Sequence, residues 1–242
     1  MEPSPLNPNV LFAEDVLINR TLVEIVLKRT GCTVTSCSNG KEAVEQAEKQ
    51  KFDVILMDIQ MPVMDGIEAT KLIKAGTVNK NTPIIALTAN SSKEDAMMCL
   101  DAGFDDHLSK SAKHESLIRK IYRYAKQADS VRRALSGGEI VSLLADEQEY
   151  QKTIETFIND LPDRIRHLQI ALENGNLQAF AKEIHSLKGL GGFAGFPIYT
   201  EKAKEIESML HSDQIEKVKE QVVLLIQLCT RTKRSHQDSK NT

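Results

Sequence analysis

The sequence predicts two domains of different class: a doubly wound α/β domain on a five-stranded parallel sheet, then an all-α four-helix bundle. Three observations carry this reading. Up to about residue 128, five short apolar runs alternate with amphipathic stretches. Past that point the runs end, and four stretches with a 3.6-residue period replace them. At ~100–200 residues per domain, 242 residues allow one large domain or two small ones, and the change of pattern selects two.

The runs VLFA (10–13), DVILM (53–57) and PIIALT (83–88) are aliphatic or β-branched without alternation. Strands buried on both faces of a parallel sheet read this way. CTVTSC (32–37) and DDHL (105–108) complete the five. Between the strands, Leu22, Val23, Val26 and Leu27 recur at helical spacing before Gly31, a C-terminal stop. Ala43, Val44 and Ala47 follow Ser38-Asn39-Gly40, which offers N-caps. Ile67, Thr70 and Ile73 follow Asp65, and Ala96, Leu100 and Phe104 follow Ser91-Ser92. In the second domain helical periods run from Thr153 to Leu172, Leu177 to Leu190, Ile198 to Leu210 and Ile215 to Leu228. Asn174-Gly175-Asn176, Gly191-Gly192 to Pro197, and His211-Ser212-Asp213 punctuate them, and short loops make an antiparallel bundle. Residues 129–140, with Ser136-Gly137-Gly138, read as linker plus a short lead-in helix.

Composition removes several function classes. There are 31 Lys+Arg against 34 Asp+Glu, split 16 to 17 before residue 129 and 15 to 17 after it, so neither domain is basic. Trp is absent and aromatics are 5%, which gives no platform for stacking bases. A nucleic-acid partner is therefore not expected. The local positive charge of Arg231, Lys233, Arg234 and Lys240 reads as a solvated tail. Cys32, Cys37, Cys99 and Cys229 fit no zinc or redox spacing, and a reducing cytosol is expected. MEPSPLNPN has no signal-peptide character, and the apolar stretch from Val222 to Ile226 is far short of the ~20 residues of a membrane helix.

In an open α/β sheet, ligands bind beyond the carboxyl ends of the strands. The first strand ends in Glu14-Asp15, the third in Asp58 and the fourth in Thr88, while the fifth runs into Lys110. Three carboxylates on one rim repel each other unless a cation sits among them. Mg²⁺ matches that set, because it takes oxygen ligands and one or two carboxylates. An Asp carboxylate can attack phosphorus, with Lys110 and the Thr88 hydroxyl offsetting charge on the transferred group. Taken singly, each residue is as well explained by capping or solvation; it is the coincidence at strand ends that counts. The turn after the first strand is Glu14-Asp15-Val16-Leu17, with neither a phosphate-cradling loop nor G-x-G-x-x-G.

VLFAED (10–15), DVILMDIQMPVMDGIEAT (53–70), PIIALTAN (83–90) and AGFDDHLSK (102–110) resemble the receiver domain of two-component response regulators, particularly receivers attached to hybrid sensor histidine kinases. The resemblance covers residues 8–128 and implies the flavodoxin-like doubly wound sheet. It implies that Asp58 is the phosphoacceptor and that Glu14 and Asp15 are the acidic pair for Mg²⁺, with the backbone carbonyl of Gln60 as another ligand. Thr88 would be the switch hydroxyl and Lys110 the phosphoryl-contacting lysine. Three positions depart from the family pattern: Ser111 stands where Pro usually follows the lysine by a cis peptide, His107 replaces the switch aromatic, and Val16 follows the acidic pair. They bear on rates and conformational output and leave the acceptor chemistry intact. Pro62, Asp65 and Gly66 read as turn and N-cap residues.

Among six histidines, His185 stands out by its neighbours in KEIHSLKGLGGFAGF (182–196). Ile184, Leu187, Phe180 and Ala181 mark a buried side, and His185 lies beside it, exposed or half-exposed. Lys188 and Gly189 share its face. Gly in a helix costs about 1 kcal/mol relative to Ala, so Gly189 needs a reason. Either the bare surface admits another protein's active site, or the glycines allow close helix packing. HSLKG resembles the His-x-x-Lys-Gly signature of histidine phosphotransfer (HPt) domains, with the match extending over about residues 139–232 and an acidic turn and Pro162 before the histidine helix. The resemblance implies that His185 carries phosphate and that Lys188 offsets its charge. His107, His114, His167, His211 and His236 lack such surroundings.

The sequence thus leads one to expect a terminus or linker (1–7), a receiver (8–128), a linker (129–138), an HPt domain (139–232) and a flexible tail (233–242). The expected function is phosphorelay: Asp58 accepts phosphate from a histidine kinase domain and His185 passes it to or from a receiver aspartate. A downstream response-regulator receiver is the expected partner, with contact between the chain's own two domains as a further option. The rival is a docking switch phosphorylated at Asp58 without transfer through His185. No kinase catalytic region fits in 242 residues, so autokinase activity is not expected of this chain, whether it is free in the cytoplasm or the cytoplasmic part of a membrane-bound hybrid kinase.

Overall fold

The computed structural model describes residues 6–89, 98–212 and 214–233. The chain divides into two compact units, Met1–Ala128 and Asp129–Thr242. Ser91, Ser92, Ala96, Asp213, His236 and the tail from Arg234 onward lie outside the described residues.

The first unit alternates strand and helix: β1 (Asn9–Ala13), α1 (Leu17–Arg29), β2 (Thr33–Cys37), α2 (Gly40–Lys49), β3 (Val54–Asp58), α3 (Gly66–Ala75), β4 (Ile84–Thr88), β5 (Asp106–Ser109) and α4 (His114–Leu135). Residues 98–101 are also helical. All five strands are parallel, in the order β2-β1-β3-β4-β5. Successive residues feed opposite faces of the sheet. Leu11, Ala13, Ile55, Met57, Ile84 and Ala86 pack in one apolar cluster. Val10, Phe12, Val54, Leu56, Ile85 and Leu87 pack in the other. Both faces are covered, which is why these strands read as unbroken apolar runs.

Capping follows the sequence. The Asn39 side chain accepts from the Glu42 amide at the head of α2, and Asp65 accepts from the Glu68 amide at the head of α3. Of the apolar positions read in α1, Leu27 is buried, Val23 and Val26 are half-buried and Leu22 is exposed, as are Leu17, Ile18 and Ile25. Strand order reverses between β1 and β3, so the crevice opens at their carboxyl ends. Register brings the rim into line, since Ala13 pairs with Met57, Asp58 with Leu87 and Thr88 with Ser109.

α4 differs from expectation at its end. Residues 129–135, within the stretch read as linker plus a short lead-in helix, are all helical and continue α4, because Val131 and Ala134 fall at helical spacing and are buried in the core of the second unit. Only the turn beyond, with Gly137 at φ +93°, breaks the helix.

In the second unit, β6 (Ile140–Val141) pairs in parallel with β7 (Thr232–Lys233), and a 3₁₀ turn (Gln148–Tyr150) leads into α5 (Gln151–Glu173). α6 (Leu177–Phe193), α7 (Pro197–His211) and α8 (Ile215–Thr230) follow. α5 packs on α6 and α8, and α7 packs on α6 and α8, closing the bundle. Phe157, Phe196 and Tyr199 meet in its core, the first two stacked with centroids 5.1 Å apart. Pro162 lies within α5 and does not end it. Gly191-Gly192, expected as a break, are inside α6, and the reason is packing. A Cβ on Gly191 would come within 2.9 Å of the Tyr199 Cβ and 3.3 Å of the Phe196 carbonyl oxygen. No described helix is long and apolar enough to cross a membrane.

Candidate functional site

β1 and β3 deliver Glu14 and Asp58 to the crevice, where they are only 2% and 3% exposed, while Asp15 beside them is more open to solvent. One carboxylate oxygen from each of the three lies within 4.8 Å of the others. Lys110, leaving β5, places its Nζ 2.7 Å from Asp58 Oδ2 and 2.9 Å from Glu14 Oε2. The second Glu14 oxygen accepts from the Val16 amide and the Asn19 side chain, both at 3.3 Å. The second Asp58 oxygen faces the Gln60 amide at 3.4 Å. Thr88 is buried at the end of β4, and its carbonyl accepts from the Lys110 amide at 2.7 Å, which fixes the path of the chain into Lys110.

The charges show what the pocket can hold. Burial pushes the Asp58 carboxyl above the ordinary range, and the Lys110 bond opposes this only in part. Burial pulls the Lys110 ammonium down, but its bonds to Asp58 and Glu14 prevail and raise it. Three carboxyl groups thus gather around one ammonium, and their oxygens are the donors the crevice offers. That set fits a divalent, oxygen-binding ion, which Glu14, Asp15 and Asp58 would hold. Asp15, Gln60, Met61 and Asp65 line the open depression beside it.

Two features here were not visible in the sequence. Arg20, on α1, donates from Nη1 to the carbonyls of Glu14 at 2.6 Å and Asp15 at 3.2 Å, strapping the acidic turn. Nothing in its spacing marks it out. Gly66, read as a turn residue, sits where a Cβ would overlap the Asp58 carbonyl, so the α3 start can close on β3 only because it is glycine. At the departures from the family pattern, the Ser111 hydroxyl lies 2.7 Å from the Ser109 hydroxyl, and there is no cis peptide among the described residues. His107 is half-buried in β5 opposite Ala86.

The second site is in the bundle. Ile184 and Leu187 are buried on α6, and the His185 side chain is 75% exposed. Its Nδ1 lies 3.0 Å from Glu207 Oε1 on α7, and Lys188 Nζ lies 2.5 Å from Glu207 Oε2. Burial would raise the Glu207 carboxyl, yet its bonds to Lys188 and His185 hold it below the usual range. The sequence did not reveal Glu207, because α7 meets α6 only through the fold. A Cβ on Gly189 would meet nothing within 4 Å, and one on Gly192 would reach Thr200 Oγ1 at 3.2 Å. Gly191 therefore serves packing, and Gly189 leaves bare surface beside the ring.

The comparisons with known proteins agree with both halves. The response regulator receiver domain model matches residues 10–122 and the Hpt domain model residues 152–235. The chain is 31% identical over 227 residues to the signal transduction histidine-protein kinase BarA of Shigella flexneri, covering 87% of this chain and 25% of that one. It is 27% identical to the sensor protein GacS of Pseudomonas syringae, covering 84% and 24%. The chain thus spans about a quarter of the length of these relatives. Among solved structures it is similar to the receiver domain of the sensor histidine kinase PA1611 of Pseudomonas aeruginosa, which has a magnesium ion in its active-site cleft. The identity is 41% and the TM-score 0.47, over 50% of this chain and 98% of that one.

Proposed function

The chain belongs to the response regulator receiver and Hpt domain families, and from this we propose that it is a phosphorelay module of two-component signalling, with Asp58 and His185 as its phosphoryl-bearing residues. The observation that carries the reading is the Asp58 carboxylate, buried at the β1/β3 crevice and bound to Lys110 beside Glu14 and Asp15.

A kinase phosphohistidine is the proposed donor. An Asp58 oxygen attacks phosphorus, the P–N bond of the donor breaks, and its electron pair returns to the donor imidazole. Lys110 is placed to follow the charge onto the phosphoryl oxygens, and the Thr88 hydroxyl ends β4 at the same rim. Mg²⁺, when bound by Glu14, Asp15, Asp58 and the Gln60 carbonyl, would supply positive charge beside those oxygens. His185, exposed on α6 with Lys188 one turn away, exchanges phosphate with a receiver aspartate, either this chain's own or that of a downstream regulator. The bundle offers an imidazole and a nearby ammonium, so acceleration comes from the receiver that docks on it. We place the module in the cytoplasm, free or as part of a longer hybrid kinase.

A second reading rests on Ser111 and His107, which alter the switch region: Asp58 is phosphorylated and the receiver acts by docking alone. One experiment tests both. The chain is incubated with acetyl phosphate and Mg²⁺, or with a cognate kinase, and acid-labile and base-labile phosphate are mapped in wild type, Asp58→Asn and His185→Gln. Relay requires label at Asp58 and His185. No label at Asp58 from either donor overturns the proposal, and label at Asp58 without any at His185 favours the docking switch.

A further inference from the structure

The acidic turn between β1 and α1 lacks the usual fastening. β1 ends at Ala13, so the carbonyls of Glu14 and Asp15 lie beyond its ladder. The N-cap of α1 is Val16, whose aliphatic side chain makes no capping bond. Ser, Thr, Asp or Asn there would tie the turn to the helix. Arg20, the fourth residue of α1 and half-buried, reaches back over the turn instead. Its Nη1 carries two N–H groups, and these go to the Glu14 carbonyl at 2.6 Å and the Asp15 carbonyl at 3.2 Å.

This bonding is not a by-product of surface ion pairing. Glu24 and Glu42 both feel the charge of Arg20. Yet Glu24 bonds Lys28 at 2.5 Å and Ser36 at 2.7 Å, and Glu42 bonds Ser38 and Asn39. The guanidinium is left for the two carbonyls. Their owners differ in how else they are held. The Glu14 carboxyl is buried and bonded to Lys110, the Val16 amide and Asn19. No hydrogen bond or ion pair fixes the Asp15 carboxyl among the described residues, so its place depends on its backbone, and Arg20 holds that backbone.

We propose that Arg20 is a positioning residue for the metal pair: by gripping the Glu14 and Asp15 carbonyls it sets where their carboxyl groups stand, and so sets the affinity of the crevice for Mg²⁺. The inference rests on Glu14, Asp15 and Asp58 being the Mg²⁺ set. A ligand group that wanders must be ordered when the ion binds, and affinity falls by that cost. The charge of Arg20 acts in the opposite sense. Removing a cation beside the crevice would by itself tighten a dication. Weaker Mg²⁺ binding without Arg20 therefore isolates the grip from the charge.

The plainer account is that Arg20 only stays the head of α1. That role predicts a lower thermal midpoint in EDTA and an unchanged Mg²⁺ dependence. The test uses the full chain with MgCl₂ as the probe and no phosphodonor. Amide shifts of Asp15, Asp58 and Gln60 are followed by NMR in wild type, Arg20→Gln and Arg20→Ala. The expected result is a Kd for Mg²⁺ raised about tenfold or more in both variants. A folded variant that binds within about twofold of wild type, or more tightly, overturns the proposal. Acetyl phosphate labelling of Asp58 across Mg²⁺ concentrations gives a second reading. The half-saturating Mg²⁺ should rise by the same factor while the rate at saturation returns to the wild-type level. A lower plateau at unchanged half-saturation makes Arg20 a stay for the fold and overturns the proposal. Should neither variant fold, the wild-type guanidinium decides: its Nη1 and Nη2 resonances should be resolved, with Nη1 protons slow to exchange, and averaged resonances overturn the grip. A wild type whose amides do not respond to Mg²⁺ fails the metal reading of the crevice, and the role of Arg20 falls with it.

Discussion

A Cβ on Gly66 would overlap the backbone carbonyl of Asp58. Gly66→Ala must push α3 away from β3, and the residue displaced is Asp58, the proposed acceptor. We expect a loss of about 1–3 kcal/mol in urea unfolding, together with slower labelling of Asp58 by acetyl phosphate. Asp106 carries a different expectation. Burial would raise its carboxyl, but bonds from Lys120 at 2.6 Å, the His107 amide and Tyr124 hold it below the ordinary range. A lowered carboxyl stabilises the fold only while ionised. Its contribution is complete above the ordinary aspartate pKa of about 3.9 and disappears as pH falls through the lower folded value. Urea midpoints at pH 7 and pH 3 should therefore differ less in Asp106→Asn than in wild type. The positions of Glu14, Asp15, Asp58, Thr88 and Lys110 at one rim, and of His185 on an exposed helix face, could be read from the sequence, because strand ends and one short signature mark them. Arg20 and Glu207 could not, since each reaches its partner through tertiary packing rather than spacing.

At the scale of elements, α6 holds three glycines with different duties. Gly191 is filled against Tyr199, whereas Gly189 has open space around it. Gly189→Ala should raise the thermal midpoint, since it removes a helix penalty of about 1 kcal/mol and meets nothing. Gly191→Ala should lower it by forcing α7 away. If the surface at Gly189 admits a docking receiver, the same Gly189→Ala will raise the receiver concentration needed for half-maximal transfer to His185 while leaving phosphoramidate labelling unchanged. The strands were legible because burial on both faces leaves an unbroken apolar signature. The end of α6 was not, because a glycine pair looks alike whether it stops a helix or lets two helices touch.

At the scale of the whole molecule, the change of period near residue 128 located the two units, but the sequence did not show where the bundle begins. Val131 and Ala134 belong to its core, and Arg231 Nη1 donates to the carbonyls of Ala134 at 2.8 Å and Gly138 at 2.9 Å. A fragment of residues 139–242 lacks these contacts. It should unfold at lower urea than residues 129–242, by about 2 kcal/mol or more, given that a buried Val contributes about 1.5–3. Equal midpoints would show that the last turns of α4 are dispensable to the bundle.

The pairing of Ile140 with Thr232 has a consequence for architecture. The chain enters and leaves the bundle at neighbouring points, as thread does at a knot. A body whose two leads emerge together can be spliced into a host loop or hung from a host's end without stretching either connection, and the same four helices can serve as a cassette.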